Sequence, residues 1–299
     1  MPEWLLWLVS IAVILIAGRA VLPVMMRMLS EHGITDTNYK QSVIPTACGL
    51  LLWLLFCMTM VIARMTSGLG GAAVLAILHY NGSIVAEYGA ALSIVALVGF
   101  LDDAVGVKSY KGFAGHWRHW REKGVIGTGM VKAVGGSAAA LLIAFSDSLQ
   151  DGRTIWERLI PFLIVVLMTN AINLLDTRPG RALKGFWGAV TVLLLIAVEG
   201  VEKAEIAWLM LPVLIGAALL LLPDLKGRLM LGDTGANLLG FAMGSWIVML
   251  AGTAFQTAVL GLLVVLHAVT WRFSLTKLIA RSRVLTWLDA IGRGRPDKI

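Results

Sequence analysis

The chain contains few charged residues for its length. Only 14% of its 299 residues are Asp, Glu, Lys or Arg, whereas 58% are hydrophobic. Long apolar runs alternate with short charged loops, and a run of roughly 20 apolar residues is long enough to cross a bilayer as a helix. This composition is typical of an integral membrane protein.

Cysteine is even scarcer, with two residues in the chain. The two cysteines, Cys48 and Cys57, lie nine positions apart in one apolar run, a spacing that fits neither a metal pair nor a disulfide framework. We interpret both as small packing residues. Thiolate and paired-histidine patterns are missing, which argues against a zinc centre.

Nine apolar segments are predicted to be membrane helices of an all-α, polytopic bundle. The loops on one side are rich in Lys and Arg, and loops of that kind stay in the cytoplasm. Alternation of the spans then places the N-terminus outside and the C-terminus in the cytoplasm. The predicted spans are Trp4–Met28, Val43–Arg64, Glu87–Leu101, Val125–Phe145, Trp156–Leu174, Leu183–Val198, Ile206–Leu222, Thr234–Leu250 and Phe255–Trp271.

Two further segments are assigned to the membrane surfaces. Leu69–Tyr80 is apolar but short and Gly-rich, and we expect it on the outer surface. Residues 1–271 form the predicted transmembrane catalytic domain, and residues 272–299 a cytoplasmic tail. Apolar residues at helical spacing between Arg and Lys predict an amphipathic tail on the inner leaflet. The net charge of +7 follows from these inner loops, and no nucleic-acid partner is expected.

Acidic residues stand where very apolar segments meet basic loops. Asp102 and Asp103 end the third span, where the helix dipole and their mutual repulsion disfavour both charges, so a cation must compensate. Asp176 ends the fifth span, and Asp233 opens the eighth. Each could be an ordinary loop or cap residue, and Asp is a common N-cap. The predicted topology, however, puts all of them on one side of the membrane, which favours a shared site.

Amides accompany the acid at the end of the fifth span. Asn170, Asn173 and Asp176 are spaced three residues apart and therefore share one helical face. Such a stripe could serve interhelical hydrogen bonds. Its position before a basic loop favours oxygen ligands beside a phosphate site. Carboxylate and amide oxygens within a basic wall predict Mg²⁺, with Mn²⁺ as an alternative, holding the phosphates of a substrate.

Four short motifs resemble those of a known family. In chain order they are Ile44-Pro45-Thr46-Ala47-Cys48-Gly49, Asp102-Asp103-Ala104-Val105-Gly106, Asn170-Ala171-Ile172-Asn173-Leu174-Leu175-Asp176 and Gly232-Asp233-Thr234-Gly235-Ala236-Asn237. Together they resemble the polyprenyl-phosphate N-acetylhexosamine-1-phosphate transferases. The resemblance implies transfer of a sugar-1-phosphate from a UDP-sugar to polyprenyl phosphate, with release of UMP and a requirement for Mg²⁺.

The resemblance also implies roles for single residues. Asp102, Asp103 and Asp233 are the predicted catalytic residues, with Asp102 as base or partner of the lipid phosphate. Asn173 and Asp233 are the expected Mg²⁺ ligands. The predicted substrate-binding residues are Lys108, Lys111, Lys132, Asn170, Asn173, Asp176, Arg178 and Arg181. Direct transfer and a route through an enzyme-bound intermediate both remain open, and a homodimer is a further expectation.

The sequence departs from the family pattern in two places. The Asp-Gly pair after the Asn motif is Asp176-Thr177 here, and no His follows His267, where family members carry a His-rich loop. Arginines of the tail, namely Arg281, Arg283, Arg293 or Arg295, would replace those contacts. An inactive scaffold and a transporter are the rival interpretations. Retention of the acidic sites argues against the first, and their position at helix ends rather than at the bilayer midplane argues against the second.

Overall fold

The computed structural model describes residues 3–67, 82–106, 127–146, 154–196 and 203–293, which are almost entirely helical. The first elements are α1 (Glu3–Glu31), β1 (Thr35–Thr37), β2 (Val43–Pro45), α2 (Leu50–Ser67), α3 (Gly82–Val105), α4 (Thr128–Ala144) and α5 (Leu159–Leu175). They are followed by α6 (Arg181–Ile196), α7 (Lys203–Leu225), α8 (Gly232–Leu250), α9 (Thr253–Arg272), α10 (Leu275–Arg281) and α11 (Arg283–Ala290). The all-α membrane bundle is thus confirmed.

A helix is present at each of the nine predicted spans. Four of them, α1, α3, α7 and α9, are long and apolar enough to cross a membrane by length and composition. Three more, α2, α4 and α5, contain shorter apolar helical segments. The count of nine spans and the orientation of the termini remain predictions.

The second predicted span begins too early. Val43–Pro45 is a strand that pairs antiparallel with Thr35–Thr37, and the helix starts only at Leu50. An apolar run followed by Pro45 suits an extended edge as well as a helix, because proline lacks the N–H that a helix needs. The predicted outer segment Leu69–Tyr80 lies entirely outside the described residues.

Helix α8 forms the centre of the bundle and packs most extensively against α5 and α3. Nearly all of its side chains are buried. Small residues permit this close packing. A Cβ on Gly240 would stand 2.6 Å from the backbone of Thr169 in α5, and one on Gly244 would stand 2.8 Å from Cα of Val165. The N-terminus of α8 is therefore held rigidly beside the C-terminal part of α5.

The small sheet secures the loop that leads into α8. The amide of Met230 donates to the carbonyl of Pro45 at 2.8 Å, and the Cys48 amide donates back to the Met230 carbonyl at 3.1 Å. The buried Asn38 side chain donates to the carbonyl of Gly227 at 2.9 Å. These contacts fix the backbone just before Asp233. The strand Val43–Pro45, predicted as part of a helix, therefore helps to position the candidate site.

Candidate active site

The ends of four long helices meet at one end of the bundle. Asp103, near the end of α3, contacts Thr234 at the start of α8. Thr177, just after α5, lies 3.5 Å from Thr276 in α10, the helix that follows α9, measured between their hydroxyl oxygens. The predicted acidic positions are therefore brought together at the same end of the described structure.

Lys132 of α4 lies between two predicted catalytic carboxylates. Its ammonium nitrogen is 2.6 Å from Oδ2 of Asp233 and 2.9 Å from Oδ2 of Asp102. The three side chains are partly exposed, between 17% and 34%. Two carboxylates held this close repel each other, and the shared ammonium offsets that repulsion. Lys132 is thus the compensating cation whose need follows from the placement of Asp102 at a helix C-terminus.

Asp103 holds the N-terminus of α8. Its carboxylate accepts from the backbone amides of Asp233 and Thr234, both at 2.9 Å, and from the Thr234 hydroxyl at 2.6 Å. A carboxylate at a helix N-terminus satisfies free N–H groups and interacts favourably with the dipole. Gly232, with φ of +73°, lies so close that a Cβ there would stand 2.5 Å from Asp103. Adjacent aspartates therefore divide their roles: Asp102 faces Lys132, and Asp103 positions Asp233.

A cavity of about 470 Å³ opens beside the Lys132 bridge, bounded by α3, α4, α5 and α8. Its polar groups come from Asp102, Lys132, Ser137, Thr169, Asn170, Asn173 and Asn237. One wall is apolar or consists of small residues. That wall contains Gly129, Met130, Ala133 and Gly136 of α4 and Val166 and Leu167 of α5. The cavity therefore combines a polar region with an apolar one.

Asp176 caps the C-terminal end of α5 beside other acids. Its amide donates to the Asn173 carbonyl at 3.1 Å. Burial, and then the charges of Asp224, Asp233 and Asp103, raise the pKa of Asp176 well above its usual range. The buried Asp224 accepts from the amide of Gly180 at 2.7 Å and so fixes the loop that follows Asp176. A cation near this group would relieve the accumulated negative charge.

A second ion cluster surrounds Asp289 of α11. The Arg181 guanidinium binds it with two hydrogen bonds, Nε to Oδ1 at 2.8 Å and Nη2 to Oδ2 at 3.0 Å. Arg293 adds a contact of 2.8 Å, and Arg178 lies 4.0 Å away. Although burial alone would raise it, these bonds and charges lower the pKa of Asp289 to about 2. Arg181 also donates to Thr177, so its donors are taken by protein groups.

The predicted site residues thus fall into three groups. Asp102, Lys132, Asn170 and Asn173 line the cavity, with Asp103, Asp176 and Asp233 adjacent to them in the acid network. Arg178 and Arg181 lie in the Asp289 cluster instead. Lys108 and Lys111 lie outside the described residues, as does Arg295. In the described ranges, no group of three or more His, Cys, Asp or Glu side chains is arranged to hold a metal ion.

Sequence reasoning missed three contributors. Asn237 lines the cavity and donates to the Asp233 carbonyl at 2.6 Å. Its position one turn after Asp233, on an otherwise apolar helix, was a usable signal. Thr234 lies in the same motif as Asp233, but its partner, Asp103, is distant in sequence. Asp224 carried no comparable signal, and its partner, Gly180, is also distant in sequence.

Comparison with known proteins agrees with the geometry. The sequence model of Glycosyl transferase family 4 matches residues 85–251, which is more than half of the chain and covers α3 to α8. No curated protein sequence matches the chain significantly. The matched segment contains Asp102, Lys132, Asn173 and Asp233. The chain therefore belongs to glycosyl transferase family 4, the membrane family of the phospho-N-acetylmuramoyl-pentapeptide translocase and related polyprenyl-phosphate hexosamine-1-phosphate transferases.

Proposed function

We propose that this protein transfers a sugar-1-phosphate, expected to be an N-acetylhexosamine-1-phosphate, from a UDP-sugar to polyprenyl phosphate and releases UMP. The family supplies the general reaction. The observation that supports the specific proposal is the cavity of about 470 Å³, which joins an acid–lysine cluster to an apolar wall. A polyprenyl phosphate consists of a phosphate on a long apolar chain. Its phosphate matches the polar region of the cavity, and its chain matches the apolar wall.

The donor set at this site fits Mg²⁺. Carboxylates of Asp102, Asp103, Asp176 and Asp233 lie near one another. Lys132 contacts two of them, Asp102 and Asp233. Mg²⁺ takes one or two protein oxygens together with substrate phosphates. We propose Asp233 and Asn173 as these protein ligands. When bound, the ion would offset the negative charge of the donor pyrophosphate.

The chain's own groups then bind, orient and move a proton. Asp102, at the cavity, accepts a proton from the lipid phosphate or orients its attacking oxygen. Lys132 exchanges a carboxylate for an anionic phosphate oxygen, which keeps the ammonium paired. The new bond forms between that lipid oxygen and the sugar-bearing phosphorus, and the bond from this phosphorus to the uridylate oxygen breaks. Asp103 keeps Asp233 in place through the α8 N-terminus.

We propose that the amide side chains at the cavity bind the UDP-sugar and take no part in bond making or breaking. Asn170 and Asn173 project from successive turns of α5 into the cavity, and Asn237 reaches it from α8. Amides offer both donors and acceptors, which suits phosphate oxygens and sugar hydroxyls. We propose that they orient the sugar phosphate between Lys132 and the apolar wall.

The test is a transfer reaction with the purified full chain. Radiolabelled UDP-N-acetylhexosamines and undecaprenyl phosphate are supplied with and without Mg²⁺, and both the lipid-linked product and UMP are measured. We expect both products in equal amounts, only with the ion present. No product with any sugar nucleotide, from a protein that is folded and inserted, would overturn the proposal and favour an inactive scaffold.

A further inference from the structure

The last two helices form a surface that the proposed reaction does not use. We define the C-terminal hairpin as α10 and α11 together, Leu275–Ala290. It follows α9, which is long and apolar enough to cross a membrane and ends at Arg272. The hairpin therefore starts where a membrane helix would leave the bilayer.

One side of the hairpin is fixed to the protein body. Asp289 binds Arg181, as described above, and the ammonium of Lys184 donates to the carbonyls of Leu288 and Asp289 at 2.9 and 2.6 Å. Gly292 lies against Leu225 at the end of α7. These contacts orient α11, so its opposite side cannot turn inward.

That opposite side is apolar and uncovered. Val284, Leu288 and Ile291 recur at helical spacing, and Trp287 lies among them. The exposed fractions of Val284 and Trp287 are both 65%. On a helical wheel, this apolar face lies about 150° from Asp289. Trp271 and Phe273, exposed just before the hairpin, extend the same kind of surface.

The hairpin and the residues next to it also carry uncompensated positive charge. Between residues 272 and 293 there are five basic residues and one acid, Asp289. Asp289 is already paired with Arg181 and Arg293. The remaining four basic residues are exposed and have no ion-pair partner within the described ranges. They are Arg272, Lys277, Arg281 and Arg283.

We propose that the C-terminal hairpin binds the anionic phospholipid headgroups of a membrane leaflet, with its apolar face in the interfacial region. Apolar area and basic charge on one short helical element are what an anionic bilayer surface recognises. Each Lys or Arg near such a surface contributes about 1 kcal/mol, or roughly a fivefold gain in the bound state. A soluble partner would not require the hairpin to begin at the end of a membrane helix.

The test measures the depth of the hairpin in vesicles. A spin label is placed at Trp287→Cys, or at the matched position Thr286→Cys on the other side of α11, after Cys48→Ala and Cys57→Ala remove the native thiols. The full chain is reconstituted into phosphatidylcholine, with or without phosphatidylglycerol. Relaxation by oxygen and by an aqueous nickel chelate reports immersion.

We expect position 287 to be immersed in the anionic vesicles and position 286 to remain in water. The variant Lys277→Gln, Arg281→Gln, Arg283→Gln should lower the bound-to-free ratio of the hairpin about a hundredfold. Neutral vesicles should lower it similarly. An aqueous label at position 287 in both vesicle types would overturn the proposal. Equal immersion in both vesicle types and in the neutralised variant would overturn the requirement for anionic lipid.

Discussion

The two ion clusters at this end of the bundle have opposite designs. In the first, one lysine is shared by two carboxylates, and Lys132 and Asp233 remain 23% and 34% exposed. In the second, one carboxylate is surrounded by arginines, and the side chains of Asp289 and Arg181 are only 9% and 5% exposed. The first cluster has excess negative charge and adjoins a cavity, whereas the second is closed and its central groups are bonded.

This difference separates residues that the sequence pattern treats alike. Lys132 and Arg181 are both cations near the start of an apolar helix, and both are predicted to bind substrate. Lys132 lines the cavity and could exchange a carboxylate for a phosphate. To bind substrate, Arg181 would have to leave Asp289. Breaking a buried ion pair leaves a buried charge without a partner, which is strongly destabilising. The proximity of a cavity, rather than the charge itself, distinguishes a binding cation from a structural one.

The largest expected effect is on catalysis in the first cluster. Asp102→Asn removes the proposed proton acceptor and should lower the transfer rate by roughly 10³-fold, within the range for general bases. Because the change also removes a repulsion with Asp233, the protein should insert and unfold normally. Initial rates of lipid-linked product formation provide the measurement. A variant with wild-type rates would show that Asp102 has no such role.

The same chemical change in the second cluster should instead affect stability. Asp289→Asn leaves the buried Arg181 charge without its partner, which costs about 3–5 kcal/mol. Denaturant unfolding in micelles would reveal the loss, and the transfer rate of the folded fraction should fall much less than in Asp102→Asn. If Asp289→Asn unfolds like the wild type, the cluster does not hold the hairpin.

The Asp289 cluster should also make the stability of the fold depend on pH in the acid range. The pKa of this carboxyl is lowered to about 2 from a usual value of 3.8. Its contribution to stability is therefore complete above about pH 4 and is lost as the pH falls toward 2. Unfolding measured across that window should show the loss in the wild type and not in Asp289→Asn, whose side chain does not titrate.

Asp103→Asn tests whether Asp103 acts through α8. An amide can keep two of the three hydrogen bonds, but its NH₂ group then faces a backbone N–H and displaces the start of α8. A misplacement of about 1 Å can cost about 100-fold in rate. Thr234→Val, which removes only the hydroxyl contact, is the matched variant and should lose less. Equal rates in Asp103→Asn and the wild type would contradict the positioning role.

Asp176→Asn should have the smallest effect on the fold, and in the stabilising direction. The raised pKa of Asp176 means that folding disfavours its charge, so the wild type loses stability as the pH rises above the usual aspartate range. Asparagine avoids this penalty, and the variant should unfold at a higher temperature at neutral pH. The gain should vanish below about pH 4, where both states are protonated. A neutral or destabilised variant at pH 7 would contradict the charge assignment.

Local patterns predicted the helices well, whereas the roles assigned to the acidic residues stay predictions. In the described ranges, apolar runs indicated each of the helices α1 to α9, because membrane helices satisfy their own backbone hydrogen bonds and need little help from distant residues. The prediction of a helix over Val43–Pro45 was wrong because a strand, unlike a membrane helix, takes its hydrogen bonds from a separate partner strand. That partner, Thr35–Thr37, is polar and carries no strand pattern.

Partnerships between distant residues could not be predicted in the same way. Arg181 and Asp289 are 108 positions apart, and Lys132 and Asp233 are 101 apart. Nothing in either neighbourhood specifies the partner, because pairing follows from how α3, α4, α5 and α8 pack. Asn237 is the exception, since its spacing from Asp233 was visible on one helix.

Filling the cavity tests the central claim most directly. Gly136 lines the cavity, and a Cβ there meets no atom within 4 Å; the same is true of Gly188, which is exposed on α6 away from the cavity. Gly136→Trp should abolish formation of lipid-linked product while the protein still folds, and Gly188→Trp should keep nearly full activity. Equal activity in both variants would show that this cavity is not where the substrates meet.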